Sequence, residues 1–374
     1  MKKTTLPFGL ALLLLIVVIS GCVQEQPQGQ ETIRIGLIIG TTGSFAPYGE
    51  MMLHGAQLAA AQLNEEAGYE KVILIVEDTQ SKVENAITAY QNKKELFNAF
   101  ISGQSGVVLA LAPLAEADKK ILLNASAMTP KIRTAGDFIF SNINDSTVEV
   151  SAMAGFAYEK EGLRRMAVFY QNDEAGLTAK GIFIQSFTGL GGEVLGEESF
   201  VGDATDVRAQ LMRIKQLNPD GVYLPAYPKN AGLILKQAKE LGLDTKWYSW
   251  DIEGNDILAV AGGAAEDLVY STNSLDFAKD LKTKNFAEKF QQQFGAMPTI
   301  YAATSYEAIM LLAEAAEKTD GSSEAMKNYL YGVKNWPGVS GTTTFDSDGM
   351  AIKQVAFKTV KNGEFVLYEG GLND

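Results

Sequence analysis

The stretch IRIGLIIGTTGSFAPYGEMMLHGAQLAAAQLNEEAGYEKVILIVED, residues 33–78, decides the fold class of this 374-residue chain. Its aliphatic run from Ile33 to Ile39 predicts a buried strand, and the run from Val72 to Val76 predicts another. Between these runs, apolar residues recur at helical spacing from about Tyr48 to Glu66. The residues on the apolar face of this helix are Leu53, Ala56, Ala60 and Leu63. A strand, a helix and a strand in this order indicate a βαβ unit of a parallel sheet.

The same alternation continues along the chain and predicts two similar α/β lobes. Aliphatic runs and amphipathic stretches alternate as far as Phe138–Phe140, and the pattern restarts at Met166–Tyr170. A helical region, Phe277–Val333, follows, and Gly341–Tyr368 alternates like antiparallel strands. We therefore predict an α/β protein with parallel sheets that carry helices on both faces.

Size and charge limit the classes of function. Without the N-terminal segment, about 350 residues remain, which exceeds the size at which one hydrophobic core usually stops growing. Without Lys2 and Lys3, 30 basic residues stand against 45 acidic residues, a net charge of −15. Such a surface repels polyanions, so we do not expect nucleic acid as a partner.

The N-terminus has the pattern of a secretory signal. Two lysines precede a mostly aliphatic run, Leu6–Ile19, which is shorter than the roughly 20 apolar residues of a membrane-spanning helix. Small residues then precede Cys22, and this pattern resembles the lipobox of prokaryotic lipoproteins. The resemblance implies a signal peptide at residues 1–21, lipid on Cys22 and a flexible linker at residues 22–31. The protein would then be anchored to a membrane outside the cytoplasm. The alternative is a cleaved secretory signal with an incidental cysteine.

The chain has few residues for acid–base or metal chemistry. It contains one histidine, His54, and one cysteine, Cys22. Gly103-Gln-Ser-Gly-Val107 lies at a predicted strand–helix junction, where α/β-hydrolases place their nucleophile, but its second glycine is displaced by one residue. The histidine also precedes this serine, whereas that fold needs a later one. The glycines after the first strand have the spacing GxxxGxxG instead of GxGxxG. We therefore expect no catalytic site, metal site or cofactor.

Two loops place hydroxyl groups beside predicted helix N-termini. Ser105 is one of them, and a serine beside the free amides of a helix N-terminus can hold an anion or a carboxylate. In the first loop, Thr41, Thr42 and Ser44 precede the helix of Tyr48. These residues either bind an anionic group or cap the helix. We favour the cap for the two threonines, and both interpretations stay open for Ser44.

Acidic and aromatic residues follow two strands of the predicted second lobe. Asp251 and Glu253 come after the strand that ends at Trp250, and Tyr227 follows the strand Gly221–Leu224. The carboxyl ends of parallel strands border the crevice in which α/β proteins bind ligands. From the residues alone, the carboxylates are either ligand contacts or solvated loop charges. Tyr227 either covers a ligand or packs on the sheet edge.

Several motifs along the chain have an order and spacing typical of one family. The opening motifs are Gly40-Thr-Thr-Gly-Ser-Phe-Ala-Pro-Tyr-Gly49, Gly55-Ala-Gln-Leu-Ala59 and Asn64. The later motifs are Glu77-Asp78-x-Gln80-Ser81, Ile101-Ser-Gly-Gln-Ser-Gly106, Asn124-Ala-Ser-Ala-Met-Thr-Pro130 and Gln237-Ala-Lys-Glu-Leu-Gly242. Together they resemble leucine/isoleucine/valine-type substrate-binding proteins, which serve ABC transporters for branched-chain amino acids and related solutes.

The resemblance implies the type I periplasmic-binding-protein fold, two Rossmann-like lobes joined by three crossovers around a ligand cleft. The crossovers would lie near Asn144, Asn273 and Asp346. The first lobe would then comprise residues 32–145 and 275–345, and the second residues 146–274 and 346–374. In proteins of this fold the ligand stabilises a closed form by contacting both lobes.

The resemblance also implies which residues contact the ligand. They are Ser105, Ser126, Met128, Tyr48, Tyr227 and Asp251. Ser105 would hold the ligand carboxylate through its hydroxyl and amide, and Ser126 and Met128 would form the second contacting loop. Tyr48 would line the pocket. On the second lobe, Tyr227 would contact the ligand and Asp251 would neutralise its α-ammonium, since an unpaired buried charge is costly.

Three positions depart from the family pattern. Met128 stands where threonine is usual, and Ala175 stands where many members have tyrosine. Both changes remove polar contacts, so the resemblance implies a ligand that is larger or less polar than leucine, or one that is not an amino acid. Gln104 replaces a cysteine found in some members, which fits a protein without disulfides.

We therefore predict the solute-capturing lipoprotein of an ABC importer, without enzymatic activity. Its partners would be a small-molecule ligand, a permease with its ATPase, and a membrane reached through the N-terminal lipid. One alternative is a ligand sensor on the same fold that acts on a separate receptor. The other alternative is an extracellular hydrolase or dehydrogenase built on two Rossmann-like lobes.

Overall fold

The computed structural model describes Met1 and residues 32–253, 255–273 and 280–372 of the chain. The described helices and strands belong to one compact unit, Thr32–Asp374. Apart from Met1, the predicted signal peptide lies outside the described residues, as do Cys22 and the linker. Lipid attachment therefore stays a prediction. Within the described residues, no helix combines the length and the apolar character that a membrane crossing requires.

Strands and helices alternate through most of the chain. The strands are β1 (Ile33–Ile39), β2 (Val72–Asp78), β3 (Ala99–Ser102), β4 (Ile121–Asn124), β5 (Ile139–Ser141), β6 (Arg165–Gln171), β7 (Glu193–Phe200), β8 (Gly221–Tyr223), β9 (Lys246–Trp250), β10 (Val269–Asn273), β11 (Trp336–Gly338), β12 (Gly341–Thr343), β13 (Val355–Lys361) and β14 (Glu364–Leu372). The helices are α1 (Ala46–Ala67), α2 (Val83–Lys93), α3 (Ser105–Asp118), α4 (Ser146–Gly155), α5 (Glu174–Gly189), α6 (Arg208–Leu217), α7 (Pro228–Glu240), α8 (Asn255–Ala261), α9 (Leu281–Phe294), α10 (Ile300–Glu317) and α11 (Ser323–Tyr331).

Two sheets confirm the predicted fold class. The first sheet has the strand order β2-β1-β3-β4-β5, and all of its pairs are parallel. The second sheet has the order β14-β13-β10-β9-β8-β6-β7. Its strands β6 to β10 pair in parallel, and the C-terminal strands β13 and β14 extend it antiparallel. We call each sheet with its packed helices a lobe.

Each sheet is covered on both faces, because side chains of a strand alternate between the two faces. Ile35 and Leu37 of β1 join the core that includes α1, α9, α10 and α11, whereas Ile38 joins the core that includes α2 and α3. On the second sheet, α6, α7 and α8 cover one face, and α4 and α5 cover the other. The helical region predicted at Phe277–Val333 divides into three helices, and these return to the first lobe.

Gly55 permits the close packing of α1 against α10. A Cβ at this position would lie 2.0 Å from the carbonyl oxygen of Ala302. No side chain fits at that distance, so glycine is required for the two helices to approach. The contact fixes the start of α10 in the first lobe, next to Tyr301.

The segments that connect the lobes bind one another. Asn144 and Lys353 exchange two hydrogen bonds, since the Asn144 amide donates to the Lys353 carbonyl and accepts from the Lys353 N–H, each at 2.9 Å. Arg133 forms ion pairs of 2.8 Å with Asp145 and with Asp346. Two of the chain passages between the sheets are therefore tied side by side.

Candidate functional site

Ser105 begins α3 at the carboxyl end of β3. The preceding residue, Gln104, has a left-handed backbone with φ of 63°, which few residues other than glycine adopt. The Ser105 side chain is half-buried, and within the described part of the chain its hydroxyl has no hydrogen-bond partner. The first amides of a helix also lack intrahelical acceptors. Position, free hydroxyl and free amides together suit an anionic group.

Ser126 lies beside the same loop. It follows β4, and a Cβ on Gly103 would lie 2.5 Å from the Ser126 Oγ. This hydroxyl is buried and has no hydrogen-bond partner in the part of the chain that the structure describes, whereas the Ser126 amide donates to Asn124 Oδ1 at 3.2 Å. A buried hydroxyl without a partner is uncommon and calls for a ligand or an ordered water. The structure thus brings Ser126 next to the loop that carries Ser105.

Three tyrosines from both lobes meet between the sheets. Tyr48 of α1 lies edge-on to Tyr301 of α10, with ring centroids 4.9 Å apart. Tyr227, which precedes α7 in the second lobe, lies 6.3 Å from the ring of Tyr48. Nearby, Met128 forms a small apolar cluster with Ile143 and Ile300, and Trp250 and Tyr301 pack against this cluster. The cleft therefore has an aromatic and apolar lining.

Asp251 is the carboxylate at the end of β9. Its backbone is left-handed, with φ of 39°, and its amide donates to the carbonyl of Ser271 at 2.7 Å. Its Oδ2 accepts a hydrogen bond from the hydroxyl of Tyr301, which belongs to the first lobe. Its Oδ1 lies 3.5 Å from the hydroxyl of Thr272, a marginal hydrogen bond. Asp251 is therefore not a solvated loop charge.

The charges around Asp251 are mostly acidic. Burial raises the pKa of Asp251 to about 6, and the nearby Glu253 contributes, against the lowering effect of the Tyr301 hydrogen bond. Among the described residues no cation forms an ion pair with Asp251, because Lys358 pairs with Glu253 instead. The second-lobe side of the cleft therefore favours a positive group.

Glu149 lies behind this site, completely buried in α4. Burial and the charge of Asp251 raise the pKa of Glu149 well above its usual range. One of its oxygens accepts a hydrogen bond from Asn273, and the other has no partner among the described residues. Burial and the charge of Asp251 therefore both disfavour the ionised form of Glu149.

The structure corrects the interpretation of the first loop. We expected Thr41 and Thr42 to cap the first helix, and this was wrong. Helix α1 starts at Ala46 with a proline in its first turn and has no side-chain cap. The amides of both threonines bind Asp78 Oδ1 at 3.0 and 3.2 Å, and the Thr42 hydroxyl binds Oδ2 at 2.6 Å. The loop is therefore held by the carboxylate that ends β2. Ser44 is exposed and does not cap α1, so for this residue the binding of an anionic group stays a prediction.

Sequence reasoning missed Tyr301 and Glu149. Tyr301 was only part of a long helical region, and it reaches Asp251 across 50 residues of chain. Glu149 lies on a helix with no sequence signal of function. No local pattern distinguishes either residue from ordinary helix positions, because both depend on how the lobes meet.

The one histidine packs between helices of the first lobe, and the described residues hold no candidate metal cluster. No group of three or more His, Cys, Asp or Glu side chains in this part of the chain is arranged to hold a metal ion. His54 stacks on Phe294 with ring centroids 4.1 Å apart, between α1 and α9. Burial lowers the pKa of His54 below its usual value. It packs as an aromatic ring against the outer helices of the first lobe.

The sequence profile of the periplasmic binding protein family matches residues 32–364. The chain belongs to the periplasmic binding protein family. This membership confirms the predicted fold and the predicted class of function, the binding of a solute. It also implies a place of action outside the cytoplasm.

Relatives of this periplasmic binding protein align over most of its length. The leucine-, isoleucine-, valine-, threonine- and alanine-binding protein of Pseudomonas aeruginosa is 24% identical over 345 residues, which are 91% of this chain and 90% of the relative. The crystal structure of a leucine-binding protein, LivK, from Thermotoga maritima has a TM-score of 0.82 and 30% identity, with 90% of this chain and 98% of that chain covered. The isoleucine complex of LivJ, a branched-chain amino acid transporter substrate-binding protein from Streptococcus pneumoniae, also has a TM-score of 0.82. At 24% identity over 90% of this chain and 98% of that one, it is evidence for the fold alone.

Proposed function

We propose that this protein is the solute-binding lipoprotein of an ABC importer, not an enzyme, and that its ligand is an amino acid or a related small carboxylate. One observation carries the proposal. A helix N-terminus with a free serine hydroxyl lies on one lobe, and a half-buried carboxylate with no ion pair among the described residues lies on the other. The rings of Tyr48, Tyr227 and Tyr301 lie together between the lobes. This arrangement matches a small zwitterion with an apolar side chain.

The first lobe supplies the carboxylate end of the site. Ser105 offers its hydroxyl and the free amides of α3. Ser126 offers a buried hydroxyl that otherwise lacks a partner. Met128 contributes its backbone and an apolar side chain instead of a hydroxyl. Hydrogen bonds to an ionised ligand carboxylate are worth more than neutral ones, so these groups orient the ligand.

The second lobe supplies the ammonium end. Asp251 is half-buried, lacks an ion pair among the described residues, and has one oxygen with only a marginal contact. Its left-handed backbone stores strain of about 1–3 kcal/mol, a feature that often marks ligand sites. Tyr48 and Tyr227 cover the apolar part of the ligand. Ala175 in α5 leaves room for a larger ligand.

Ligand contacts on both lobes give the cleft a reason to close. A ligand shifts a conformational equilibrium only through its different affinity for the two states. We propose lobes of residues 32–145 with 275–345, and of residues 146–274 with 346–374. The sheet that each strand joins supports this division. Met350 and Ala351 still pack in the first-lobe cores, so the third crossover lies a few residues later than Asp346, near Lys353. The paired connections around Asn144 and Lys353 would then serve as the hinge.

A lipid anchor on Cys22 would keep the binding protein near its permease. The linker at residues 22–31 is polar and suits a flexible tether, which raises the local concentration of the cleft at the membrane. Phase partitioning in a mild detergent tests the anchor. We expect the native protein in the detergent phase and Cys22→Ala in the aqueous phase, and native protein in the aqueous phase would contradict it.

Isothermal titration of the delipidated protein against the twenty amino acids, small amides and aromatic acids tests the ligand class. We expect an apolar amino acid to bind and Asp251→Asn to weaken that binding at least tenfold, since a buried ammonium would lose its counter-charge. Glu240→Gln is the matched control, because Glu240 pairs with Arg208 on the surface of the second lobe and its loss should leave the affinity nearly unchanged. Binding of an aromatic acid alone, with equal affinity in Asp251→Asn, would overturn the amino-acid assignment.

A further inference from the structure

Tyr301 connects the two lobes through the carboxylate of Asp251. Its hydroxyl comes from α10 in the first lobe and donates to Asp251 Oδ2 in the second. Burial and the neighbouring Asp251 charge raise the pKa of Tyr301 well above its usual range. The hydroxyl is therefore a donor at every physiological pH, and the bond has a fixed polarity.

The position of Tyr301 is set by rigid contacts of its helix. The Thr304 hydroxyl donates to the Ala125 carbonyl at 2.6 Å, and the Asn142 amide donates to the Thr304 carbonyl at 2.7 Å. These bonds join the start of α10 to the ends of β4 and β5, next to Ser126. The edge-on ring of Tyr48 supports Tyr301 from α1. Tyr301 is thus fixed relative to the proposed carboxylate end of the site.

The hydrogen bond from Tyr301 makes the two carboxylate oxygens of Asp251 different. Oδ2 is occupied by Tyr301, whereas Oδ1 has only the long contact to Thr272. A single N–H donor can approach Oδ1 without displacing Tyr301. A guanidinium group, which grips both oxygens of a carboxylate with a planar fork, cannot do so.

We infer that Tyr301 is a specificity-determining and positioning residue, which holds Asp251 so that one oxygen accepts a ligand ammonium. This inference rests on the proposed function as an amino-acid binder. The donor and the acceptor belong to different lobes, so the bond joins the two lobes in the arrangement that this structure shows. Tyr301 therefore links recognition of the amino group to the contact between the lobes.

Hydrogen-bonding and charged groups on the surrounding helices and strands influence the ionisation of Asp251. Tyr301 of α10 donates to it, and Tyr48 of α1 and Tyr270 of β10 lie within its field. The charged groups that face the same region are Glu149 of α4, Glu253 beside it, Asp256 of α8 and Lys358 of β13. The pKa of Asp251 is raised by burial, and among the effects that oppose this rise the hydrogen bond from Tyr301 is the largest.

Tyr301→Phe removes the hydroxyl and keeps the ring, and L-leucine with its deaminated analogue 4-methylpentanoate are suitable probes. We expect the variant to lose on the order of tenfold in affinity for L-leucine at pH 7, the loss of one charge-assisted hydrogen bond. Affinity for 4-methylpentanoate should change little, so the preference for the amino group falls. Unchanged or tighter leucine binding, or an equal loss for both ligands, would overturn the inference.

A ligand-free measurement keeps the inference separable from the proposed ligand class. The carbon-13 signal of the Asp251 carboxyl, assigned with Asp251→Asn, should titrate near pH 6 in the native protein and at higher pH in Tyr301→Phe. Equal midpoints would show that Tyr301 does not act on Asp251, whether or not any amino acid binds. If no amino acid binds while the midpoints differ, the proposed ligand class fails and the role of Tyr301 on Asp251 stands.

Tyr306→Phe is the matched control on the same helix. Its hydroxyl donates to Gln62 at 2.7 Å, away from the cleft. This variant also loses one hydrogen bond, so it reports the purely structural consequence for α10. We expect it to leave the Asp251 midpoint and the preference for leucine over 4-methylpentanoate unchanged. A shift as large as that in Tyr301→Phe would contradict a specific role for Tyr301.

Discussion

Lys353 Nζ lies 2.7 Å from Glu307 Oε2, and both side chains are almost fully shielded from solvent. The pair joins the segment that returns to the second lobe with the middle of α10. Ser340 completes the group, since its amide and hydroxyl both donate to Glu307. A buried pair of this kind adds little net stability, but it makes each partner indispensable to the other.

Lys353→Met should destabilise the protein strongly. It leaves the Glu307 carboxylate buried without its cation, which costs about 3–5 kcal/mol in comparable buried pairs. Urea unfolding measures the loss. The double variant Lys353→Met with Glu307→Gln removes both charges and keeps an acceptor for Ser340, so we expect it to recover much of the stability. A single variant as stable as the native protein would contradict a buried charge pair.

The two serines of the proposed carboxylate end should affect binding without affecting stability. Ser105→Ala and Ser126→Ala remove hydroxyls that have no hydrogen-bond partner among the described residues, so the free energy of unfolding should change by less than about 0.5 kcal/mol. Each should weaken a carboxylate ligand by roughly tenfold or more, the value of a hydrogen bond to a charged group.

Ser102→Ala is a control with the opposite expected result, a loss of stability without a loss of ligand affinity. Its buried hydroxyl donates to the Ile38 carbonyl at 2.7 Å within the sheet. Its loss should cost about 1 kcal/mol of stability and leave ligand affinity unchanged. Calorimetric titration and urea unfolding of all three variants show whether each hydroxyl contributes to ligand binding or to stability. If Ser105→Ala or Ser126→Ala proved as unstable as Ser102→Ala, the hydroxyl would have a structural partner.

Asp251→Asn should stabilise the ligand-free protein above about pH 6 while it weakens ligand binding. The pKa of Asp251 is raised in the folded state, from 3.8 to about 6, so the folded protein holds this proton more tightly than the unfolded chain. The native protein therefore loses stability as the pH rises from about 4 through about 6. Asp251→Asn has no proton to lose at this position, so its stability does not fall in this way. Between pH 4 and pH 8 the advantage of the variant should grow by about 2 kcal/mol.

Thermal unfolding across pH 4–8 measures this difference between the native protein and Asp251→Asn. Tyr301 still has an acceptor in the variant, because the asparagine side chain keeps one oxygen. Glu240→Gln is again the matched control, since Glu240 has a surface ion pair with Arg208. A constant difference between native protein and Asp251→Asn at every pH would show that the carboxylate is not desolvated.

Gly55→Ala should destabilise the first lobe and disturb the cleft. The new Cβ would meet the Ala302 carbonyl, so α1 and α10 must separate, which typically costs about 1–3 kcal/mol. Ala302 adjoins Tyr301, so ligand affinity should fall as well. Gly181→Ala is the control, because Gly181 lies inside α5 with open space around it, and alanine there should stabilise by about 0.5–1 kcal/mol. Equal unfolding free energies for the two variants would contradict the packing argument.

Local patterns predicted most elements of the fold. The run Ile33–Ile39 became β1 with the predicted bounds, and the helix predicted from about Tyr48 starts at Ala46. Strands and helices follow from side-chain periodicity, which a short stretch of chain carries by itself. The threonine caps failed because Asp78, 36 residues away from Thr42, binds the amides of both threonines and the Thr42 hydroxyl, and because α1 starts only at Ala46.

The candidate site could be predicted in part. The motifs pointed to the loops of Ser105, Ser126 and Asp251, because each comes at the end of a parallel strand. They did not show that Asp251 already has a partner, or that Glu149 lies behind it. Those facts depend on side chains from three separate elements meeting at one place.

The sequence alone determined the α/β class and the motifs of the family, because neighbouring residues carry both. It also predicts the lipoprotein signal at the N-terminus. The tertiary structure decided the rest. Helix α10 follows the second sheet in the chain but packs in the first lobe, and only that return places Tyr301 opposite Asp251. The contact between the two lobes decides which oxygen of Asp251 stays free and how far burial raises its pKa. Neither property can be predicted from neighbouring residues in the sequence.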